Sequence, residues 1–246
     1  MTAIYERIGV GYAAGRRPDP RWQAALDAAV GHASTVLNIG AGTGSYEPSD
    51  RYVLAVEPSA TMIAQRPAAA APALMASAER LPVADGQFDV ATGILTLHHW
   101  ADWRAGLREA RRVATRVVLV HFDPVRHLGF WLARDYLPEL ADVWRDVPSA
   151  RAVATELGPA ATVRALPVPW DCCDAFLPAY WRRPEAYLQL DVRRTMSGLQ
   201  LLDPAVLARG LRALHTDLAD GTWHRRCADL LVLEELDVGF CVISSS

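Results

Sequence analysis

The apolar run Thr35–Ile39 leads directly into a glycine-rich turn, Gly40-Ala41-Gly42-Thr43-Gly44. Glycines have no Cβ atom, so they allow the backbone to approach a ligand closely at the end of a strand. The dinucleotide fingerprint G-x-G-x-x-G opens a helix whose N-terminus holds pyrophosphate. Here the third glycine comes one residue early and position 45 is serine. The spacing disfavours pyrophosphate and favours a nucleoside-containing cofactor without phosphate.

An acidic residue, Glu57, follows the second apolar run, Tyr52–Val56. Its distance from the glycine turn is close to that at which a carboxylate holds a ribose in nucleotide-binding sheets. One carboxylate accepts hydrogen bonds from both ribose hydroxyls, and its charge strengthens them. Alternatively, Glu57 is a carboxylate at a helix start beside Pro58 and Ser59, where the helix dipole favours negative charge. Together with the glycine turn, Glu57 indicates a ribose site.

Four side chains are candidates for a general base: His98, His99, His121 and Asp123. His121 and Asp123 come at the end of the apolar segment RVVLVHF, the place where open α/β sheets bind ligands. Residues two apart in a strand share a face, so these two side chains are expected to point the same way. The alternative is that all four simply pair with backbone at the ends of strands and helices.

A parallel sheet is needed to bring these residues together, and the apolar runs predict its strands. We predict strands at 35–39, 52–56, 73–76, 88–95, 116–122, 161–168 and 236–244. Periodicity and capping residues predict helices at 22–32, 59–65, 102–114, 130–147, 149–157 and 204–218. Few residues separate Gly44 from the second strand, and Pro48 is among them, so at most one helical turn is expected there.

Composition narrows the class of protein. The 246 residues, 51 % of them hydrophobic, suffice for one sizeable α/β domain. The formal net charge of -3 gives no sign of a nucleic-acid or anionic-lipid partner. All 25 basic residues are arginine, which excludes a Schiff-base lysine and the usual pyridoxal-phosphate chemistry. The absence of lysine and the abundance of alanine indicate a GC-rich bacterial source.

The sequence also predicts where the protein is located and whether it binds a metal. The N-terminal residues lack the pattern of a signal peptide, and no apolar run approaches the roughly 18 residues of a membrane span. The cysteines do not have the spacing of zinc ligands; they are Cys172, Cys173, Cys227 and Cys241. We therefore expect a soluble cytoplasmic protein with no membrane partner and no metal.

A family resemblance is carried by VLNIGAGTG, AVEPS with Met62 after it, SAERLPVADGQFDV, LTLHHW and LREARRV. In this order and spacing they resemble the class I S-adenosylmethionine-dependent methyltransferases, especially the small-molecule group called methyltransferase type 11. The resemblance covers about residues 33–120. It implies an α/β fold, a Rossmann-like, mostly parallel sheet of seven strands in the order 3-2-1-4-5-7-6 with the last strand antiparallel.

The resemblance also implies how the chain is divided. We expect a single methyltransferase domain over 1–246, with a core at 22–122, 161–168 and 236–244. Helical cap insertions would cover that core, and they are expected at 1–21, 123–157 and 170–232.

The cofactor implied by the resemblance is S-adenosyl-L-methionine, with S-adenosyl-L-homocysteine as its product. The glycine turn would face the methionine and ribose, Glu57 would hold the ribose, and Leu95, Thr96 and His98 would lie beside the sulfonium. The residues expected to bind the cofactor are Asn38, Gly40, Ala41, Gly42, Gly44, Glu57, Pro58, Met62, Ser77, Ala78, Glu79, Leu95 and Thr96. Of these, Pro58, Met62 and residues 77–79 would lie near the adenine.

Three positions depart from the family pattern. Asn38 stands where aspartate is usual, so it can hydrogen-bond but does not offset the cofactor's ammonium charge. Ser77 replaces an aspartate, which shifts adenine recognition to the backbone or to Glu79. The segment Ala114-Thr115-Arg116 replaces a glycine pair and is expected to alter only a turn.

The sequence contains fewer motifs for the residues that bind the methyl acceptor. We expect His121, Asp123 and His98 as catalytic residues, and Tyr12, Arg16, Trp131 and Trp181 as residues that bind the acceptor. For the tryptophans the alternative is packing in the core, and for His121 and Asp123 it is hydrogen bonding at a strand end. An apolar or aromatic small molecule is favoured over a large polar polymer.

The sequence therefore predicts an enzyme, an S-adenosylmethionine-dependent methyltransferase that acts on oxygen, nitrogen or carbon of a small molecule. A nucleic-acid methyltransferase is the alternative within enzymes, since the fold does not fix the substrate. A noncatalytic, cofactor-binding regulatory protein is the alternative from another class, and the departures at Asn38 and Ser77 keep it open. A nicotinamide dehydrogenase is disfavoured by the glycine spacing. Nothing in the sequence indicates an oligomeric state.

Overall fold

The computed structural model describes residues 17–245, and a seven-stranded sheet is its central element. The sheet has the order β3-β2-β1-β4-β5-β9-β6. Its strands are β1 (Thr35–Ile39), β2 (Tyr52–Val56), β3 (Ala73–Leu74), β4 (Phe88–Ile94), β5 (Ala114–Phe122), β6 (Thr162–Ala165) and β9 (Phe240–Ser244). Two further strands, β7 (Val168–Pro169) and β8 (Glu235–Leu236), form a separate ribbon.

The pairing confirms the predicted Rossmann-like topology. The strands β1, β2, β3, β4 and β5 are parallel, with Val36 opposite Val53 on one side and opposite Val90 on the other. The last strand, β9, lies antiparallel between β5 and β6. Because β1 has parallel neighbours on both sides and helices on both faces, it is buried and reads as a continuous apolar run.

Two predicted strands are shorter than expected because their ends join the small ribbon instead. The predicted strand 161–168 ends at Ala165 in the sheet, and Val168 then pairs with Leu236. Pro167 and Pro169 have no N–H group to continue a ladder. The predicted strand 236–244 is interrupted before Phe240 by Gly239, which has a φ of 92°.

Helices precede the sheet, cross it and cover it. They are α1 (Pro20–Val30), α2 (Ala60–Ala64), α3 (Trp103–Val113), α4 (Pro124–Leu128), α5 (Leu140–Val143), α6 (Ala150–Leu157), α7 (Leu190–Arg194), α8 (Ser197–Gln200), α9 (Pro204–Ala219) and α10 (Thr222–Arg226). Side-chain caps start several of them: Ser59 accepts from the N–H of Met62, and Asp102 accepts from the N–H of Ala105. Residues 40–51 contain no helix, as the short connection predicted.

The predicted helix at 130–147 is wrong as one continuous element. A π-helical segment, Leu132–Tyr136, is followed by the short α5. Pro138 lies between them, and a proline inside a helix removes a backbone hydrogen bond and clashes with the preceding turn. The apolar residues of this stretch still face the core, which is why its periodicity resembles that of one long helix.

Two apolar clusters lie on opposite faces of the sheet. One contains Val118 and Val120 of β5 with the aromatic side chains of α1 and of the helices after Asp123. The other contains Val117 and Leu119 with residues of α3 and α6. Alternate side chains of β5 therefore pack into the apolar clusters on opposite faces of the sheet. Among residues 17–245, no helix combines the length and apolar character that crossing a membrane requires.

The fold predicts a strong effect at Gly106 of α3. A Cβ atom there would lie 2.3 Å from Cε3 of Trp100. Alanine usually stabilises a helix relative to glycine by about 1 kcal/mol. We expect overpacking to outweigh this gain, so that Gly106→Ala lowers the free energy of unfolding by about 1–2 kcal/mol.

Urea denaturation of the variant and the wild type measures this change. Arg108→Ala is the matched control, because Arg108 is exposed on the same helix, and its effect should stay within about 0.5 kcal/mol. A Gly106→Ala protein as stable as the wild type would contradict the close packing of α3 on Trp100.

Candidate functional site

A concave site, which we call the main cleft, lies at the carboxyl ends of β1, β2 and β4. It has a volume of about 300 Å³. Its walls are Asn38, Gly40, Ala41, Gly42, Thr43, Ser45, Tyr46, Glu57, Pro58, Ser59, Met62, Ser77, Ala78, Glu79, Ile94, Leu95, Thr96, His99, Trp100 and Ala101. Every residue expected to bind the cofactor is in this set except Gly44. The sheet thus brings together residues from four separate stretches of the chain.

The glycine turn joins the ends of β1 and β2. The N–H groups of Gly40 and Ala41 both donate to the carbonyl oxygen of Val56, at 2.8 and 3.1 Å. Gly40 has a φ of 65°, and a Cβ atom there would lie 1.9 Å from Oγ1 of Thr96. Only glycine fits this position, because the backbone conformation and the close approach of Thr96 both exclude a side chain.

Gly44 lies outside the cleft and closes the turn behind it. Its N–H donates to the carbonyl of Ala41 at 2.9 Å, and its φ is 94°. A Cβ atom would meet the side chains of Glu47 and Arg66 at 3.2–3.3 Å. The position of Gly44 therefore requires glycine for the turn itself, and it offers no surface to a ligand in the cleft.

Glu57 is almost fully buried, with 5 % of its surface exposed, yet its carboxylate lines the cleft. Oε2 accepts from the N–H of Gly42 at 2.8 Å, and Oε1 accepts from the N–H of Ser59 at 2.9 Å. The carboxylate thus ties the glycine turn to the start of α2, and the same group borders the cleft where a ribose hydroxyl would lie. The two interpretations of Glu57 are compatible, because the same group starts α2 and faces the cleft.

Asn38 is held by a buried ion pair. Its Nδ2 donates to Oε1 of Glu47 at 3.1 Å, and its Oδ1 accepts from Thr92 at 3.4 Å. Glu47 pairs with Arg66 at 2.8 Å, and the two side chains are 7 % and 6 % exposed. Arg66 also donates to the carbonyl of Gly42. The amide of Asn38 is therefore fixed with its nitrogen toward Glu47, which leaves an oxygen lone pair for a cationic group in the cleft.

The far end of the cleft is formed by Pro58, Met62, Ser77, Ala78 and Glu79. The carboxylate of Glu79 is already engaged: its Oε1 accepts from the N–H groups of Ala101 at 2.7 Å and Asp102 at 3.2 Å. Glu79 therefore braces the loop before α3. Apolar surface and backbone dominate this end, which suits a flat base held by its faces and edges.

Leu95 separates the main cleft from a neighbouring cavity. Its φ is 52°, a left-handed value that is rare for a residue with a branched side chain. Its N–H donates to the carbonyl of Val120 at 2.9 Å, which holds the turn after β4 against β5. Such strained residues are concentrated at functional sites.

The neighbouring cavity, which we call the second cavity, has a volume of about 70 Å³. It is lined by Leu95, His98, His99, Phe122, His127, Trp144, Phe176, Leu177, Pro178, Thr195, Met196, Ser197, Gly198 and Phe240. Leu95 and His99 line both spaces, so the two share a wall. The helices after Asp123 supply most of the far side.

His98, one of the predicted catalytic residues, lies at the second cavity beside His99. The two ring centroids are 3.8 Å apart. Burial is the main cause that lowers the pKa of His98 well below its usual value, and burial lowers the pKa of His99 to about 4. Both imidazoles are therefore neutral at physiological pH, the form that can accept a proton.

The structure does not bring His121 and Asp123 to the main cleft or to the second cavity. Nε2 of His121 bonds to the carbonyl of Pro148 at 2.8 Å, and 1 % of the residue is exposed. Asp123 starts α4 by accepting from the N–H groups of Val125 and Arg126, and it also accepts from Ala150. Both side chains are used to join β5 to the following helices, so the geometry supports a structural role for them.

Trp131 and Trp181 are core residues. Nε1 of Trp131 donates to the carbonyl of Trp181 at 2.9 Å, and Nε1 of Trp181 donates to the carbonyl of Val168 at 2.9 Å. They are 2 % and 0 % exposed and line neither space. The structure thus supports the packing interpretation of these two residues. The other expected acceptor-binding residues, Tyr12 and Arg16, lie outside the described residues.

Some wall residues of the main cleft were not expected, among them Ser59, Tyr46 and Trp100. Trp100 is the last residue of the LTLHHW segment, and its Nε1 donates to Thr96 at 3.3 Å, so its motif was a signal for it. Tyr46 has a φ of 64° and gives no such signal, because it follows the turn without a motif. Its hydroxyl bonds to Asp174, far along the chain, which only the tertiary structure shows.

Comparisons with known proteins agree with this geometry. A family model described as a methyltransferase domain matches residues 37–118. A crystal structure from Anabaena variabilis, described as a methyltransferase from an antibiotic biosynthesis pathway, is 30 % identical. It superposes with a TM-score of 0.87 and covers 94 % of this chain and 99 % of that chain.

Other relatives match in part or share only the fold. A demethylmenaquinone methyltransferase of Mycolicibacterium vanbaalenii is 32 % identical over 150 residues, which is 58 % of this chain and 60 % of that relative. The match thus spans less than two thirds of that protein. A geranyl diphosphate C-methyltransferase of Streptomyces coelicolor shares the fold, with 12 % identity, a TM-score of 0.53 and coverage of 92 % of this chain and 78 % of that one.

The chain belongs to the class I S-adenosylmethionine-dependent methyltransferases. Residues 37–118 carry the methyltransferase domain of that class. The residues present fit an adenosyl sulfonium, because Gly40 leaves room for close backbone approach and Glu57 offers acceptors for ribose hydroxyls. The oriented amide of Asn38 offers an acceptor for the ammonium group. Among residues 17–245, no group of three or more histidine, cysteine, aspartate or glutamate side chains is arranged to hold a metal ion.

The position of Glu57 predicts its effect on cofactor affinity. Glu57→Ala should weaken binding of S-adenosylhomocysteine by roughly 1.5–3 kcal/mol, the scale of hydrogen bonds to a charged group. Isothermal titration calorimetry measures this loss. Glu185→Ala, which removes an exposed carboxylate away from the cleft, is the matched control and should bind as the wild type does. Unchanged affinity in Glu57→Ala would remove Glu57 from the ribose role.

The buried His127 predicts how stability depends on pH. Burial lowers its pKa to about 4, with His121 as a further unfavourable neighbour, while the bond from Nδ1 to the carbonyl of Val238 opposes the shift. The unfolded chain takes up a proton near pH 6.5 and the folded chain does not until about pH 4. The free energy of unfolding should therefore fall as the pH drops through this range, by at most about 3 kcal/mol from His127.

Urea denaturation between pH 7 and pH 5 tests this dependence. His127→Phe keeps an aromatic ring in place and should reduce the pH dependence without abolishing it, because the buried His98, His99 and His121 remain. The exposed His215→Phe should leave it as in the wild type. Equal slopes in wild type and His127→Phe would show that His127 does not titrate as its burial requires.

Proposed function

We propose that this chain transfers the methyl group of S-adenosylmethionine to a small-molecule acceptor. One observation carries the proposal: the second cavity meets the main cleft at Leu95 and His99, where the expected sulfonium end lies. A molecule in the second cavity would therefore lie next to the end of the cleft where the methyl group is expected. When bound, the cofactor supplies an activated methyl group on sulfur.

The chain's own residues would act mainly by positioning. Glu57 and the glycine turn hold the ribose and amino-acid end, which fixes the direction of the reactive sulfur. Leu95 lies between the two spaces, and Thr96 lines the main cleft, where its Oγ1 accepts from Nε1 of Trp100. Positioning of two reactants can supply about 7–11 kcal/mol of rate enhancement without an acid or base.

The size and charge of the site favour a small molecule over a nucleic acid. The second cavity is small, about 70 Å³, and a nucleic-acid acceptor requires a basic surface that binds phosphates. The formal net charge of -3 does not provide such a surface on the whole chain. The relatives named above include an enzyme that methylates demethylmenaquinone, a small molecule. These observations support the proposal on the acceptor class.

The proposal is tested with purified chain in two steps. Calorimetry should show binding of S-adenosylmethionine and S-adenosylhomocysteine and none of NAD. The chain is then incubated with methyl-labelled cofactor and a bacterial extract, and the products are divided by ultrafiltration. Label in the small-molecule fraction is expected, and Glu57→Ala should lower it about tenfold or more, since about 1.4 kcal/mol of binding corresponds to a factor of ten.

Other results of these experiments would favour one of the alternative functions. Label retained in the RNA or DNA fraction would indicate a nucleic-acid methyltransferase. Cofactor binding without any labelled product would favour a noncatalytic regulatory protein. Tight binding of NAD without binding of S-adenosylmethionine would overturn the proposal as a whole.

A further inference from the structure

We infer that the acceptor is an uncharged aromatic molecule with a hydroxyl group, that its ring occupies the second cavity, and that its hydroxyl bonds to Nδ1 of His98. This inference rests on the proposed function, because it names the chemistry of the molecule that receives the methyl group. The inference rests on three features of the described residues: the aromatic walls of the second cavity, the lack of charged side chains in its described lining, and the nitrogen of His98 that has no described partner.

The walls of the second cavity are aromatic. The ring of Phe122 lies 5.6 Å from Trp144, and the ring of Phe240 lies 5.1 Å from Phe176, both pairs with steep interplanar angles. Aromatic rings attract one another at centroid separations of about 4.5–7 Å in such edge-to-face arrangements. A flat ring in the second cavity would contact these side chains in the same way. The walls therefore favour a planar acceptor over a branched aliphatic one.

The walls carry no ionised group. No arginine, aspartate or glutamate belongs to the described lining, and its only titratable side chains are His98, His99 and His127. Burial lowers the pKa of all three, and the nearest further histidine, His121, also has a lowered pKa. Because a charged ligand would lose its hydration without gaining a counter-charge, the second cavity favours a neutral acceptor.

His98 provides the polar contact. Its Nδ1 is buried and has no hydrogen-bond partner among the described residues. Buried polar atoms in native proteins are nearly always paired, so an unpaired one at a cavity calls for a ligand. A hydroxyl can both donate and accept, so it satisfies Nδ1 in either tautomer of the neutral ring.

The position of His98 also fits the chemistry of transfer. Its ring lies 3.8 Å from that of His99, which lines both spaces, and 5.1 Å from that of Phe122 on the aromatic wall. In the transfer, the acceptor oxygen forms a bond to the methyl carbon while the carbon–sulfur bond breaks. The electron pair of that bond stays on sulfur, which gives neutral S-adenosylhomocysteine. The hydroxyl proton passes to Nδ1 of His98 and then to solvent, so the products are an aryl methyl ether, the thioether and one proton.

Binding of small fluorinated probes tests the acceptor class. The full chain is saturated with S-adenosylhomocysteine, and binding is followed by ¹⁹F NMR. The probes are 4-fluorophenol, 4-fluoroanisole, which lacks the hydroxyl hydrogen, 4-fluorobenzoate, which is anionic, and 4-fluorobenzylamine, which is cationic. We expect 4-fluorophenol to bind about tenfold more tightly than the other three, the scale of one hydrogen bond at a buried group.

Variants then test His98 itself. His98→Phe keeps a ring in place and should weaken 4-fluorophenol about tenfold while leaving the affinity for S-adenosylhomocysteine unchanged. The exposed His215→Phe is the matched control and should change neither affinity. Ser197→Phe fills the second cavity from the opposite wall and should also exclude the phenol, which keeps the test decisive if His98→Phe does not fold.

Turnover supplies the last readout. With S-adenosylmethionine and 4-fluorophenol, mass spectrometry should detect 4-fluoroanisole. His98→Gln, whose amide can bond to the hydroxyl but cannot take its proton, should keep KM near the wild-type value and lower kcat. A merely structural role for His98 would not separate the two constants.

The results that overturn the inference differ from those that overturn the proposed function. Cofactor binding with equal affinity for phenol, anisole, benzoate and benzylamine would refute the acceptor class. Unchanged phenol binding in both His98→Phe and Ser197→Phe would refute the site, and a ring-methylated product would refute the oxygen assignment. Loss of S-adenosylhomocysteine binding in the wild type would instead remove the proposed function, and the inference would fall with it.

Discussion

The structure of the site depends on the hydrogen bonds that join the end of β1 to the end of β2. The carbonyl of Val56 accepts from both Gly40 and Ala41, and the next residue, Glu57, accepts from Gly42. Three consecutive N–H groups of the turn are thereby tied to the end of the neighbouring strand. The turn can take this course only because Gly40 has no side chain to collide with Thr96. These contacts position the glycine turn and Glu57 in the main cleft.

A second set of contacts orients the amide of Asn38. Asn38 occupies a position where the family usually has aspartate, and Glu47 lies next to it with Arg66 as its partner. The carboxylate does not enter the cleft; it fixes the direction of the amide instead. Buried ion pairs contribute little net stability, but removing one partner costs about 3–5 kcal/mol. The pair therefore maintains geometry, and Asn38 remains a suitable ligand for the ammonium end of the cofactor.

Much of the cofactor side could be predicted because its residues are local in sequence. The glycine turn, Glu57 and the turn at Leu95 each follow directly on a strand, and the ends of neighbouring parallel strands necessarily meet. Contacts that join distant segments could not be predicted. The catalytic role of His121 stays a prediction, and in the structure its ring bonds to the carbonyl of Pro148. Trp131 and Trp181 looked like ligand-binding residues, but their indole nitrogens bond to core carbonyls.

The sequence by itself determined most strands of the sheet, because apolar runs and glycine spacing encode local backbone shape, and the family resemblance implied their order. Only the tertiary structure decided which side chains form the second cavity. Phe122, Trp144, Phe176 and Phe240 come from well-separated stretches, and the long predicted helix at 130–147 is in fact broken. The physical reason is that a second cavity is formed by packing between distant elements, and no local pattern records which side chains will face one another across it.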